Sequence, residues 1–213
     1  MKSIRDILVR EVSLVVPGAN DESIVSRALF NALDSSKYIV LNNLTLPNYR
    51  RTAAYQIDHI VVSAYGIFCI ETQSRQGWVF GEKKSDMWKQ VLDEKKFTFP
   101  NPLAMNDLRV KAIEQAIGRK RVKAPSISLV VFPSVAKLFS NEANVFSDTM
   151  ALVSEIEEHK DKLYSEHEIT EIVHKLKKAD ITDREIIDKR KKEVTALIAS
   201  SAERMVTKFI KKR

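Results

Sequence analysis

Apolar residues recur over residues 21–34 at Ile24, Val25, Ala28, Leu29, Ala32 and Leu33. That spacing predicts an amphipathic helix, with Asn20 or Asp21 as its cap. A shorter stretch over residues 4–15, stopped by Pro17-Gly18, predicts another helix. The pattern then changes to strands. Residues 37–44, 53–63 and 66–73 are rich in Ile, Val and aromatic residues. The last two, joined at Ala64-Tyr65, read as a hairpin of interior strands. Trp78-Val79-Phe80 and Met87-Trp88 predict two short strands around a polar turn at 83–86. Asn101-Pro102 supplies a cap and an N1 proline to a helix that Gly118 ends. Residues 126–132 form a buried strand stopped by Pro133, and residues 144–153 predict one or two short edge strands. Ser165-x-x-Glu168 and Thr182-x-x-Glu185 are capping boxes, starting helices near 166–178 and 183–212. This layout is α/β: a mixed β-sheet flanked by helices over residues 1–153, then a charged helical C-terminal extension over 154–213.

The chain's 213 residues are enough to bury a core without staples. With 44% hydrophobic and 30% charged residues, and only 5 Gly and 6 Pro, disordered and collagen-like classes are excluded. Cys69, the one cysteine, cannot form an internal disulfide, which fits a reducing, cytoplasmic setting. No apolar run is long enough to span a membrane, and the charged residues at 5, 6, 10 and 11 do not suit a signal peptide. The net charge of +7 is unevenly placed: between Lys83 and Lys123, eleven bases face five acids. Lys83, Lys84, Lys89, Arg109, Lys111, Arg119, Lys120 and Arg121 are therefore expected to hold a phosphate backbone, solvated surface being the alternative. No Gly-rich phosphate loop or GxSxG elbow is present.

Two acids interrupt the apolar hairpin, and an unpaired carboxylate is costly to bury. If Ala64-Tyr65 is a two-residue loop, Ser63 pairs with Gly66, Ile60 faces Cys69 and Asp58 faces Glu71. Gln56 then faces Gln73, and all lie on one side of the sheet. In the competing register Gly66 is the left-handed residue of a three-residue loop, and the two acids part. Opposed carboxylates repel and raise each other's proton affinity. A divalent cation such as Mg²⁺ or Mn²⁺ would relieve this, and so would a nearby Lys or Arg.

The runs Gln56-Ile57-Asp58-His59-Ile60-Val61-Val62 and Gly66-Ile67-Phe68-Cys69-Ile70-Glu71-Thr72-Gln73 resemble the nuclease-related domain family. Gly77-Trp78-Val79-Phe80-Gly81, Trp88, Asn101-Pro102-Leu103 and Asn106 extend the match in order, over roughly residues 18–118. The resemblance implies a PD-(D/E)xK, restriction-endonuclease-like core and a metal-dependent nuclease acting on DNA rather than RNA. It implies Asp58 and Glu71 as metal ligands, with the Thr72 carbonyl and Glu22 completing the site, and Mg or Mn as cofactor. Gln73 stands where the family carries Lys, Met105 where Gln is common, and Arg109 where His is common. Gln73, with Gln56, would position the attacking water, and Arg109 or Lys111 would supply the missing positive charge. The alternative is a catalytically inactive domain that binds nucleic acid or scaffolds a helicase- or kinase-like partner. A homodimer is left open. His59, Trp78 and Trp88 are expected to be structural, Cys69 inert core, and His159, His167 and His174 solvated helix surface.

Overall fold

The computed structural model describes residues 20–48 and 54–181. The helices predicted over 4–15 and 183–212, with the second capping box, lie outside the described residues. Asn20 caps helix α1 (Asp21–Ala32): its side-chain oxygen accepts from the Ser23 amide at 2.9 Å. Strands β1 (Tyr38–Pro47), β2 (Ala54–Ser63) and β3 (Gly66–Thr72) follow as a meander. The hairpin adopts the two-residue register, since Ser63 pairs with Gly66, Val62 with Ile67 and Ile60 with Cys69. Every residue of β3 is buried, as expected for a strand paired on both sides and covered on both faces.

A second sheet is inserted after β3. Strands β4 (Trp78–Phe80), β5 (Met87–Leu92) and β6 (Lys95–Pro100) lead into helix α2 (Pro102–Ile117). Asn101 caps that helix and Gly118, at φ 94°, ends it. The chain then returns to the first sheet as β7 (Ile127–Val131), parallel to β3. It crosses to the second as β8 (Lys137–Phe139), parallel to β4, and back as β9 (Val145–Phe146), parallel to β7. Helices α3 (Thr149–Glu158) and α4 (Glu166–Ala179) complete the described chain. The sheets run β1-β2-β3-β7-β9 and β6-β5-β4-β8, and the first is mixed.

Helices cover both faces of the first sheet. Ala112, Ile113 and Ile117 of α2, with Ile169, Ile172 and Leu176 of α4, pack on Leu41, Ile60, Val62 and Cys69. Val25 and Leu29 of α1, with Leu152 and Ile156 of α3, pack on Val61, Phe68 and Ile70. A third cluster, centred on Val79, Trp88, Phe99, Leu103 and Phe132, joins the second sheet to the start of α2. No helix among the described residues is long and apolar enough to cross a membrane.

Several expectations need correcting. Residues 149–153, expected as edge strand, are the first turns of α3, capped by the Asp148 side chain. The boundary at 153/154 therefore falls inside that helix. Strands β6 and β8 carry no sequence prediction. In β6 the cause is the turn: Asp93 and Glu94 both take positive φ, 48° and 63°, between the paired Leu92 and Lys95. Both central residues of a type I′ hairpin turn need that conformation, and Asn-Gly is its usual signal. Asp-Glu hides it.

Candidate active site

The first sheet changes phase where the predicted acids sit. Its β1–β2 ladder runs to Asn42↔His59 and resumes at Leu44↔Ile57, stepping over Asn43 and Asp58. Asn43 is left-handed, at φ 56°. Ile39 and Leu41 before the step join the same apolar cluster as Leu44 and Leu46 after it, and Ile60 and Val62 share it with Ile57. Strict alternation would put these on opposite faces. Asp58 lies at this irregularity, half-buried, where β2 and β3 cease to pair beyond His59↔Ile70.

Glu71 is buried near the end of β3. The Thr72 amide donates to Asp58 Oδ2 at 2.8 Å, tying the two acidic strand ends together. Gln73 Nε2 donates to Glu71 Oε1 at 2.9 Å. Arg109, from the middle of α2, brings Nη2 to 3.1 Å from Glu71 Oε2, and its Nε donates to the Gln56 carbonyl at 2.8 Å. The ion pair is a contact of charges without hydrogen-bond alignment, because Glu71 Oε2 lacks a hydrogen-bond partner. Asp58, Glu71, Gln73 and Arg109 thus form one cluster.

Other predicted residues stand at different distances from it. Glu22 is exposed on the first turn of α1, near enough that its charge acts on both carboxyls. The Gln56 side chain turns to Asn43, donating to its Oδ1 at 2.7 Å, instead of facing Gln73. The phase change explains this departure. Thr72, buried at the end of β3, has an unpartnered hydroxyl. Among the described residues no three His, Cys, Asp or Glu side chains converge as a metal-holding group.

The bases do not form one face. Lys83 and Lys84 are exposed in the turn between β4 and β5, and Lys89 is exposed on β5. Arg119, Lys120 and Arg121 form a 3₁₀ turn beyond the far end of α2, a helix of 16 residues and so about 24 Å long. Arg121 there pairs with Glu171 of α4. Lys111 is exposed between the two groups, whereas Arg109 is committed to Glu71.

Burial, reinforced by the Glu71 and Glu22 charges, pushes the Asp58 carboxyl up to about 7 against the help of the Thr72 amide. Glu71 moves the same way through burial, opposed by Arg109 and Gln73. His59, as expected, is structural: it is buried, its Nδ1 lies 2.8 Å from Asn42 Oδ1, and burial lowers it to about 4. Cys69 is inert, its thiol pushed up by burial and its Sγ donating to Asn106 Oδ1. Asn106 was legible only as a family position. Its Nδ2 donates to the Cys69 and Leu129 carbonyls and to Ser128 Oγ, which clamps β3 to β7 directly behind the site.

A pH dependence follows. The stability that neutral Asp58 contributes is complete below the ordinary Asp range and is lost as pH rises through about 7. His59 opposes it, since its lowered value costs stability as pH falls from the ordinary His range towards 4. Replacing Asp58 by Asn keeps an acceptor for the Thr72 amide and removes only the first effect. Its stability advantage over the parent should widen from pH 4 to pH 7 by on the order of 3 kcal/mol. Urea unfolding in EDTA at several pH values checks this; a pH-independent difference would refute it.

The model of a family described as nuclease-related domain matches residues 17–133. An uncharacterised protein of Bacillus anthracis is 34% identical to this chain, over 82% of each. No solved structure matches.

Proposed function

Because the chain belongs to the nuclease-related domain family, we propose that it is a metal-dependent nuclease hydrolysing phosphodiester bonds of DNA. The observation that carries this reading is the crowding of Asp58 and Glu71 where β2 and β3 part, with both proton affinities raised by burial and that of Asp58 raised further by the Glu71 charge. Carboxylate oxygens in that state suit a hard divalent cation. Mg²⁺ is commonly held by one or two carboxylates, keeping waters and substrate phosphates in its other positions. The donor set fits: Asp58 and Glu71 would hold Mg²⁺ or Mn²⁺, with the Thr72 carbonyl and Glu22 as further contributors. Such a cation supplies Lewis acidity, activating water and neutralising charge at the scissile phosphate.

The chain's own residues do the rest. Gln73 spends its amide on Glu71, so its side-chain carbonyl is left to accept a hydrogen bond from the attacking water and orient it. Arg109 brings to the cluster the positive charge that Gln73 lacks. Its guanidinium, 16% exposed, would act on a bound phosphate through its charge. Lys83, Lys84, Lys89 and Lys111 are exposed and would hold flanking phosphates in a salt-dependent, sequence-blind way.

One observation favours a second reading, a silent site that binds nucleic acid or serves a helicase- or kinase-like partner. Arg109 already neutralises Glu71 from within the protein. The deciding experiment is a Mg²⁺ and Mn²⁺ titration measuring cleavage of single-stranded, linear duplex and supercoiled DNA, beside Gln73→Lys. Metal-dependent cleavage, abolished by EDTA and raised several-fold by Gln73→Lys, is expected. DNA bound but uncut at every metal concentration, in parent and variant alike, would establish the silent reading instead.

A further inference from the structure

Trp78 is 52% exposed, contrary to the structural role expected of it, and Phe139 is 37% exposed. Both lie on the second sheet. There Val79, Trp88, Phe99 and Leu138 point into the apolar cluster beneath, so the alternate residues of those strands face outward. The register arranges them in two cross-strand rows. One runs Lys137, Trp78, Val91, Lys96; the next runs Phe139, Phe80, Lys89, Thr98. Phe80 and Phe139 stack at 4.4 Å with planes 3° apart, Trp78 meets Phe139 edge-on at 6.0 Å, and Lys137 Nζ lies 5.0 Å from the Phe139 ring centre. The two rows carry three lysines and no acid; the nearest acids in sequence, Glu82, Asp86, Asp93, Glu94 and Glu142, lie in the turns beyond the strands, where Glu142 accepts from the Lys83 amide.

Buried aromatic packing does not account for this arrangement, since exposed rings forfeit the burial that favours aromatic residues in cores. Contiguous aromatic surface marks a partner, and the chemistry of the rows says which. Flat rings offer π-faces to unpaired bases, and interleaved ammonium groups pair with the phosphates between them. A duplex hides its base faces and could engage only the lysines. Apart from the Thr98 hydroxyl, the rows hold no side-chain acceptor for the proton of a ribose 2′-hydroxyl.

We propose that the outer face of the second sheet is a binding platform for single-stranded DNA, with Trp78 and the Phe80–Phe139 pair stacking on bases and Lys89, Lys96 and Lys137 holding the backbone. The platform involves no chemistry at Asp58 or Glu71. It therefore stands or falls separately from cleavage, and its test excludes divalent metal.

The measurement is fluorescence anisotropy of a labelled oligothymidylate of about 12 nucleotides, titrated with the protein in EDTA. The parent should bind, more weakly as salt rises. Trp78→Ala and Phe139→Ala should each weaken binding roughly tenfold or more, while Trp78→Phe stays within about threefold of the parent. Binding of a duplex of equal length should not respond to Trp78→Ala. Lys137→Ala and Lys96→Ala leave the ring packing in place, so they decide the matter if an aromatic variant unfolds. Each should lower the slope of log affinity against log salt. No oligothymidylate binding at low salt, unchanged affinity in Trp78→Ala, an unchanged salt slope in both lysine variants, or far tighter binding of oligouridylate would overturn the proposal.

Discussion

Replacing Asp58 by Asn should lower metal-dependent DNA cleavage by about 100- to 1000-fold, the usual cost of one preorganised electrostatic group. The substitution is nearly isosteric and retains an oxygen for the Thr72 amide, now 2.8 Å from Asp58 Oδ2. The fold is thus preserved, and only the charge that would attract a cation is removed. The same change relieves the repulsion among Asp58, Glu71 and Glu22. The inactive variant should therefore be the more stable protein at pH 8. Activity lost with stability gained is the signature of a site held against its own folding preference. Single-turnover cleavage assays and urea unfolding on the same preparation test both halves. Cleavage persisting in Asp58→Asn would remove Asp58 from the chemistry.

Gly81→Ala should cost about 3 kcal/mol or more, beyond the usual range for an overpacked core. A Cβ at this position would lie within the indole of Trp88. That ring cannot retreat. It is fully buried, stacked on Phe132 at 5.9 Å, edge-on to Phe99 at 6.3 Å, and donates its Nε1 to the Glu82 carbonyl. Gly77, at the other end of the same short strand, has a φ of 73°, and a Cβ there would overlap the Val91 carbonyl oxygen. The glycines that bracket Trp78-Val79-Phe80 are therefore packing requirements of the second sheet. A urea midpoint within experimental error of the parent's would contradict this account.

The hairpin was legible from two apolar, β-branched runs on either side of a short connection, which left two registers open; the structure takes the two-residue one. That register brings Asp58 towards Glu71, although the ladder itself ends at His59↔Ile70 and the Thr72 amide makes the link. Helix α2 was legible from Asn101, Pro102 and Gly118, each a residue type its end requires. The role of Arg109 was only partly so. Its place three residues after Asn106 and four before Ile113 puts it on the buried stripe of α2, which is a signal. The strand it meets depends on how the helix crosses the sheet. The course of Gln56 was not legible, because it turns on the left-handed Asn43 and the change of phase there. Trp78 was misjudged for a related reason: in a strand of three residues, alternation is too short to say which face is buried.

The order in which the strands join their sheets bears on folding. The first sheet takes β1, β2 and β3, then waits for β7, while the second takes β4, β5 and β6 and waits for β8. Each is thus interrupted by part of the other. Neither can be finished, excised or transplanted as a contiguous piece of chain. The closure entropy of β3 with β7 and of β4 with β8 falls due in overlapping loops. The smaller sheet cannot be removed by a cut at one linker, because β8 lies in sequence between β7 and β9. A cut at Lys83-Lys84 would open both sheets' long closures at once, so the carboxylate cluster and the aromatic face share one cooperative unit.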